Sequence, residues 1–208
     1  LARQRVAVSL SGDAGDELFG GYNRYFWGRS IWNKVGWLPR PLRFAGAGAL
    51  RMLPPAVWDK IFIGLESVLP GRFRQRLPGD KVHKLAEILA VRSPEAMYNS
   101  LVSTWKNPEE LVIGATEPVT VMTEPQQWAD IRDFTLRMMY LDTLSYLPDD
   151  ILVKVDRACM GISLESRAPF LDHRVVEFAW RLPLKMKIRN GEGKWILRQV
   201  LYKYVPRE

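Results

Sequence analysis

The chain has 208 residues, 47% of them hydrophobic and 11% aromatic, so it can bury a single real core, on the order of 70% of its unfolded surface. Thirty basic against 23 acidic residues give a net charge of +7, which favours acidic partners; the basic residues are scattered, densest at Gly71 to Arg76, without the aromatic-interleaved stripe of a nucleic-acid face. Cys159 stands alone, excluding an internal disulfide or a cysteine zinc site and suiting a reducing cytoplasm, and no run of 18 apolar residues or charged-then-apolar leader points to a membrane.

Val6 to Leu10 is an apolar, β-branched run that breaks into Ser11-Gly12-Asp13 and resumes at Leu18 and Phe19. This predicts a buried strand, a tight loop and a helix start. At the carboxyl end of a parallel strand such a loop lies outside the sheet, where a ligand can meet the N–H groups of the next helix. Gly12 and Gly15 are the positions expected to let backbone approach that ligand with φ > 0. Asp13, Asp16 and Glu17 would repel a bare phosphate; a divalent cation held by one or two of them resolves the conflict. The loop is neither a Walker A nor a dinucleotide-binding turn, and an Asp-rich helix cap is the plainer alternative. A parallel strand needs neighbours and helices over both faces. The expectation is therefore a fragment, cut from a longer chain just before its last sheet strand.

From Phe26 to Arg76 tryptophan, glycine and proline dominate, so short helices are expected at Arg43–Met52 and Ala56–Leu69, with the tryptophans in the core. Apolar spacing predicts helices over Asp80–Ala90 and from Ser93-Pro94 onward, and Asn107-Pro108 repeats that start. Pro125 to Leu147 reads as the longest core helix, ended by Pro148. A second helix follows from about Asp149 to Leu164, with Asp149 and Asp150 in its first turn, Lys154, Asp156 and Arg157 on its charged side, and Cys159 as a buried small hydrophobe. Glu165 and Arg167 precede Pro169, and Asp172 caps a helix carrying Val175, Val176 and Ala179. His173 is expected to be exposed and His83 to lie on a charged face; neither serves as a base. The last helix starts after Gly193, where Lys194 puts a cation at the positive end of the helix dipole, a costly placement unless an anion sits opposite.

Three stretches carry a resemblance. Ser11-Gly-Asp-Ala-Gly-Asp-Glu-Leu-Phe-Gly-Gly-Tyr-Asn-Arg-Tyr25, then Leu147-Pro-Asp-Asp-Ile-Leu-Val-Lys-Val-Asp-Arg157 with Ser163 to Asp172, and Gly193-Lys-Trp-Ile-Leu-Arg198 resemble, in order, the synthetase domain of glutamine-hydrolysing asparagine synthetases. The resemblance implies a fragment that is mainly α with one or few short strands, belonging to an α/β adenine-nucleotide-alpha-hydrolase-like, pyrophosphate-loop ATPase domain. Within it residues 1–25 are strand, nucleotide loop and helix start, 26–124 a helical Trp/Pro-rich insert, and 125–208 the helical catalytic-site portion. ATP would adenylate the side-chain carboxylate of aspartate, and ammonia drawn from glutamine would displace AMP.

Ser11 and Gly12 would contact the nucleotide, Asp16 would hold Mg²⁺, and Lys194 would neutralise charge building on the phosphate. Asp13 stands where the family places a proton-accepting acid, often Glu, and Asp150 or its neighbour Asp149 resembles a second acid near it; an acid beside another acid suits proton acceptance. Lys154, Arg157, Glu165 and Arg167 are weaker candidates for substrate or pyrophosphate contacts. The family's Ser-Gly-Gly-x-Asp-Ser phosphate loop and N-terminal Cys glutaminase do not occur in these 208 residues. The expectation is half an active site, inactive alone and completed by those missing segments, with no nucleic-acid or membrane partner. Two rivals are a related adenylating amide ligase, acting on a β-lactam, sugar-acid or lasso-peptide precursor, and a non-enzymatic helical interaction module.

Overall fold

The computed structural model describes every residue except 65–77, 104, 106, 107, 117 and 208. In chain order the elements are β1 (Val8–Leu10), α1 (Gly15–Phe19), α2 (Asn23–Val35), α3 (Arg40–Arg51), α4 (Pro55–Gly64), α5 (Pro78–Ala90), α6 (Pro94–Val102), α7 (Phe134–Leu144), α8 (Val153–Met160), β2 (Glu165–Arg167), α9 (His173–Arg181), α10 (Leu184–Lys187) and α11 (Trp195–Leu201). Among the described residues the fold is thus mainly helical with two short strands. It divides into one unit of Leu1–Arg29 with Asn107–Glu208 and another of Ser30–Lys106.

In the second unit α3 starts at Arg40, ahead of the expected Arg43, because Pro39 and Pro41 suit a helix start, where no N–H is needed. α4 ends at Gly64; the rest of the expected helix to Leu69, and the basic run Gly71 to Arg76, lie outside the described residues. Ser93 caps α6 as its sequence predicts, accepting from Ala96 N at 3.1 Å. The tryptophans depart from expectation. Trp37 is 75% exposed, its indole N–H donating to Lys34 O at 2.8 Å to close the end of α2, and Trp58 is half-buried, donating to Leu50 O at 2.9 Å. An indole that finds its acceptor at a helix end stays near the surface. Trp27, in the first unit, is 66% exposed; it sits about 200° around α2 from the buried Tyr25.

In the first unit β1 and β2 pair in parallel, Val8 with Glu165, Ser9 with Ser166 and Leu10 with Arg167. β1 is therefore not the last strand of the chain, and it is not buried: Val8 is 38% and Leu10 74% exposed. A parallel strand is buried only when flanked and covered on both sides, and this sheet has two strands. β2 escaped the sequence reading because Glu-Ser-Arg carries no β-branched or aromatic residue.

The single helix expected over Pro125 to Leu147 is broken. Pro125–Gln127 forms one 3₁₀ turn, and α7 begins only after Asp133, whose carboxylate accepts from Thr135 N and Leu136 N at 2.8 and 3.1 Å. Thr143 and Ser145 return hydrogen bonds to Met139 O and Leu141 O, a habit that bends helices. A π turn over Leu147–Leu152 then leads into α8, so Pro148 lies inside a turn rather than ending a helix. α8 stops at Met160, and Ser163, at φ 57°, turns the chain into β2. Cys159 is only half-buried. Asp172 caps α9 as expected, accepting from Arg174 N at 2.9 Å, and His173 is exposed.

The core of this unit gathers Ala14, Leu18, Phe19, Leu147 and Ala179, so α1 is held against the π turn and α9. That burial fixes the polar loops at both ends of α1.

Candidate functional site

The Gly20-Gly21 step after α1 and the Gly193-Lys194 step before α11 touch backbone to backbone. Lys194 N donates to Phe19 O at 2.9 Å, and a Cβ on Gly193 would stand 2.2 Å from Gly20 O. Gly20 turns at φ 71° with Ile188 against it, its absent Cβ 2.7 Å from the Ile188 side chain. Gly21 is the tightest position: a Cβ there would lie 1.8 Å from Asp16 Oδ1 and 2.4 Å from Lys194 Cε. Only glycine leaves the space through which Asp16 and Lys194 meet, Nζ to Oδ2 at 2.9 Å, both side chains 34% exposed.

The pair opens on a cleft of about 300 Å³ lined by Asp16, Gly21, Asn23, Phe26, Gly191, Glu192, Gly193, Lys194 and Arg198. Its far wall is a tight turn in which Arg189 and Glu192 exchange hydrogen bonds at 3.0 and 2.9 Å. Asn190 and Gly191, at φ 52° and 81°, supply the left-handed pair that such a turn requires. Lys194, which lines the cleft, also holds left-handed backbone at φ 55° as the N-cap of α11, as does the core residue Ala14 at φ 70° as the N-cap of α1. Backbone held in this region costs about 1–3 kcal/mol and concentrates at functional sites.

Beneath the cleft lies a polar network. Glu17 is 1% exposed and accepts from Tyr22 Oη at 2.7 Å, bracing the turn that carries Gly20 and Gly21. Burial pushes the Glu17 carboxyl above the usual carboxylate range, partly offset by that hydrogen bond, and burial, with the Glu17 bond, pushes the Tyr22 phenol up. Arg24 lies 4.1 Å from the Tyr22 ring and 4.6 Å from the Tyr146 ring while pairing with the buried Asp142 at 2.8 Å. Asp142 also accepts from Tyr25 Oη at 2.5 Å. Lys187, at the end of α10, is fully buried with its amine 4.5 Å from the Trp180 ring and no hydrogen-bond partner among the described residues; burial alone lowers it to about 8.

Of the sequence candidates, the structure brings together Asp16 and Lys194. Asp13 Oδ2 accepts from Ser11 Oγ at 2.7 Å within the loop, and Gly12 has open space around its Cα, with left-handed φ falling at Ala14 and Gly20 rather than at Gly12 or Gly15. Gly15 instead packs on the Phe170 ring, 3.3 Å from its absent Cβ. Asp150 pairs with Lys154 one turn on at 3.6 Å, both well exposed, and Glu165 pairs with Arg167 at 2.6 Å. Ser11, Gly12, Asp13, Asp150, Lys154, Arg157, Glu165 and Arg167 do not line the Asp16–Lys194 cleft. The cleft residues not among the sequence candidates are Gly21, Asn23, Phe26, Gly191, Glu192, Gly193 and Arg198. The available signal was the pair of adjacent glycines at a helix end.

Among the described residues no three His, Cys, Asp or Glu side chains gather to hold a metal unaided. Asp16 nevertheless holds a cation at the cleft, the Lys194 ammonium. One carboxylate presented beside open space fits a Mg²⁺ that takes its remaining ligands from substrate oxygens and water.

The family model described as Asparagine synthase matches residues 1–208. Over 206 residues the chain is 34% identical to a putative glutamine-hydrolysing asparagine synthetase of Mycobacterium tuberculosis (strain ATCC 25618 / H37Rv), covering 99% of this chain and 28% of that protein. It is 29% identical over 208 residues to asparagine synthetase [glutamine-hydrolyzing] 1 of Bacillus subtilis (strain 168), again 99% of this chain but 29% of the relative. With the asparagine synthetase [glutamine-hydrolyzing] of Homo sapiens it shares 32% identity over 126 residues, 54% of this chain and 21% of the relative. The chain thus spans less than a third of the length of the M. tuberculosis and B. subtilis relatives. No solved structure matches it.

Proposed function

The chain belongs to the asparagine synthase family, and from that premise we propose that it is the carboxyl-terminal part of an ATP-dependent synthetase domain, an adenine-nucleotide-alpha-hydrolase-like fold, which forms the amide of asparagine in a glutamine-hydrolysing ligase. An aspartate side-chain oxygen attacks the α-phosphorus of ATP and pyrophosphate leaves; ammonia then attacks the acyl carbon, AMP leaves, and the nitrogen loses a proton.

The observation that carries this reading is the glycine-lined contact that sets Asp16 against Lys194 over one cleft, from opposite ends of the chain. Lys194 supplies a preorganised positive charge for phosphate oxygens as charge develops on them. Asp16 would hold a Mg²⁺, which would supply charge screening for those phosphates. Ser11 and Gly12 lie at the carboxyl end of β1 and contact the nucleotide; Asp13, fixed by Ser11, accepts the proton from the attacking nitrogen. Asp150, with Lys154 as its counterion, is the second acid. The phosphate loop and the glutaminase that delivers ammonia belong to the longer protein. Among the described residues no helix is long and apolar enough to cross a membrane.

The complete natural chain is expected to release AMP and form asparagine only with ATP, aspartate and an ammonia source. Amide formation with another carboxylic acid, and none with aspartate, would transfer the reading to a related amide ligase. AMP release undiminished in both Asp13→Asn and Lys194→Ala would sink the catalytic assignment.

A further inference from the structure

Arg198, in α11, and Lys194, the left-handed N-cap of that helix, both line the cleft beside Asp16. Their electrostatic states differ. The Lys194 ammonium is already engaged by Asp16 at 2.9 Å. Among the described residues Arg198 has no carboxylate partner, and its one side-chain hydrogen bond is from Nε to Gly193 O at 3.1 Å. That bond tethers the exposed guanidinium to the glycine step that shapes the cleft and, among the described residues, leaves the four N–H groups on its two terminal nitrogens without a protein acceptor. Asn23, which also lines the cleft, presents a side-chain amide that likewise makes no hydrogen bond among the described residues.

A planar fork with open parallel donors, in the cleft that also holds the Lys194 ammonium, is suited to a two-point hold on an oxyanion. We propose that Arg198 is a substrate-binding residue of this cleft, gripping a phosphoryl or carboxylate oxygen alongside Lys194. The inference rests on the nucleotide-ligase reading above for the identity of the anion.

The test is calorimetric, on the complete natural chain, with inorganic pyrophosphate plus Mg²⁺ in one arm and L-aspartate in the other. In Arg198→Met and Arg198→Gln the dissociation constant for one of the two probes is expected to rise at least about tenfold, the scale of a lost charge-assisted hydrogen bond, while Arg198→Lys, which keeps the charge but not the fork, is expected to lose an intermediate amount, about threefold to tenfold. The arm that responds identifies the anion. Unchanged melting temperatures exclude a folding cause, and Arg198→Gln, able to retain a bond to Gly193 O, serves if Arg198→Met does not fold. Binding of both probes within about twofold of wild type in both uncharged variants overturns the proposal. A wild-type chain that makes asparagine while both variants bind normally refutes Arg198 alone; a chain that makes no amide, yet loses pyrophosphate binding on Arg198→Met, refutes the ligase reading and keeps the anion site.

Discussion

Two ion pairs of the same chemistry sit in the first unit, and they are built differently. Asp150 and Lys154 stand four residues apart on one helical face, at 3.6 Å, with side chains 53% and 63% exposed; helix geometry alone supplies the contact, worth about 0.3–0.5 kcal/mol. Asp16 and Lys194 come from the two ends of the chain, meet at 2.9 Å and are 34% exposed, because glycines at 20, 21 and 193 let the backbones touch. The first pair can be lost without consequence for the fold. The second is the product of the fold, and that difference ties it to the shape of the cleft.

The largest effect that tests this contrast is expected from Gly193→Ala. Its new Cβ meets the Gly20 carbonyl at 2.2 Å, a backbone atom that cannot rotate away, so the variant is expected to lose about 2–4 kcal/mol in urea unfolding and to lose activity with it. Gly21→Ala separates the two losses. The atoms it meets are the ends of the Asp16 and Lys194 side chains, which can move; stability is expected to fall by about 1 kcal/mol or less while AMP formation drops at least a hundredfold. Equal, small losses in both variants would mean that the glycine contact is not what builds the cleft.

Next in size is Tyr22→Phe, which leaves the buried Glu17 carboxylate without its 2.7 Å donor and is expected to cost about 1–3 kcal/mol by chemical denaturation. A pH series on Lys187→Met follows. The Lys187 amine falls from its ordinary 10.5 to about 8 in the fold. Below pH 8 folded and unfolded chains both carry the proton and the buried charge costs its full amount. Between pH 8 and 10.5 the unfolded chain binds more protons, so the stability of the wild type relative to Lys187→Met is expected to rise with pH, by at most about 3 kcal/mol. A flat difference across that window would refute the assignment. The smallest effect belongs to Lys154→Ala, expected to change stability by about 0.5 kcal/mol or less.

What could be read in advance follows the same division between local and distant causes. Ser93 and Asp172 announce their helices because a cap acts over three residues. The acids of the opening loop and the lysine of the closing helix stood out by chemistry and by resemblance. Asp133 was missed because apolar spacing on either side of it imitates one continuous helix. β2 was missed because its pairing with β1 is decided by a strand more than 150 residues away, and the exposure of Leu10 could not be foreseen from an apolar run that reads as buried. The roles of Gly20, Gly21 and Gly193 were hidden for the same reason. A glycine required by a turn has a local signature, whereas one required by another backbone's approach is recognised only with that backbone in place.

The central claim, that Asp16 and Lys194 act as one unit over the cleft, is tested most directly by a double-mutant cycle on aspartate-dependent AMP formation in the complete natural chain, using Asp16→Asn, Lys194→Met and the two together. Two residues sharing one site are expected to give a double variant no slower than the worse single one, after each single change has cost at least about a hundredfold. Losses that simply multiply would show two residues working independently, and would contradict the account.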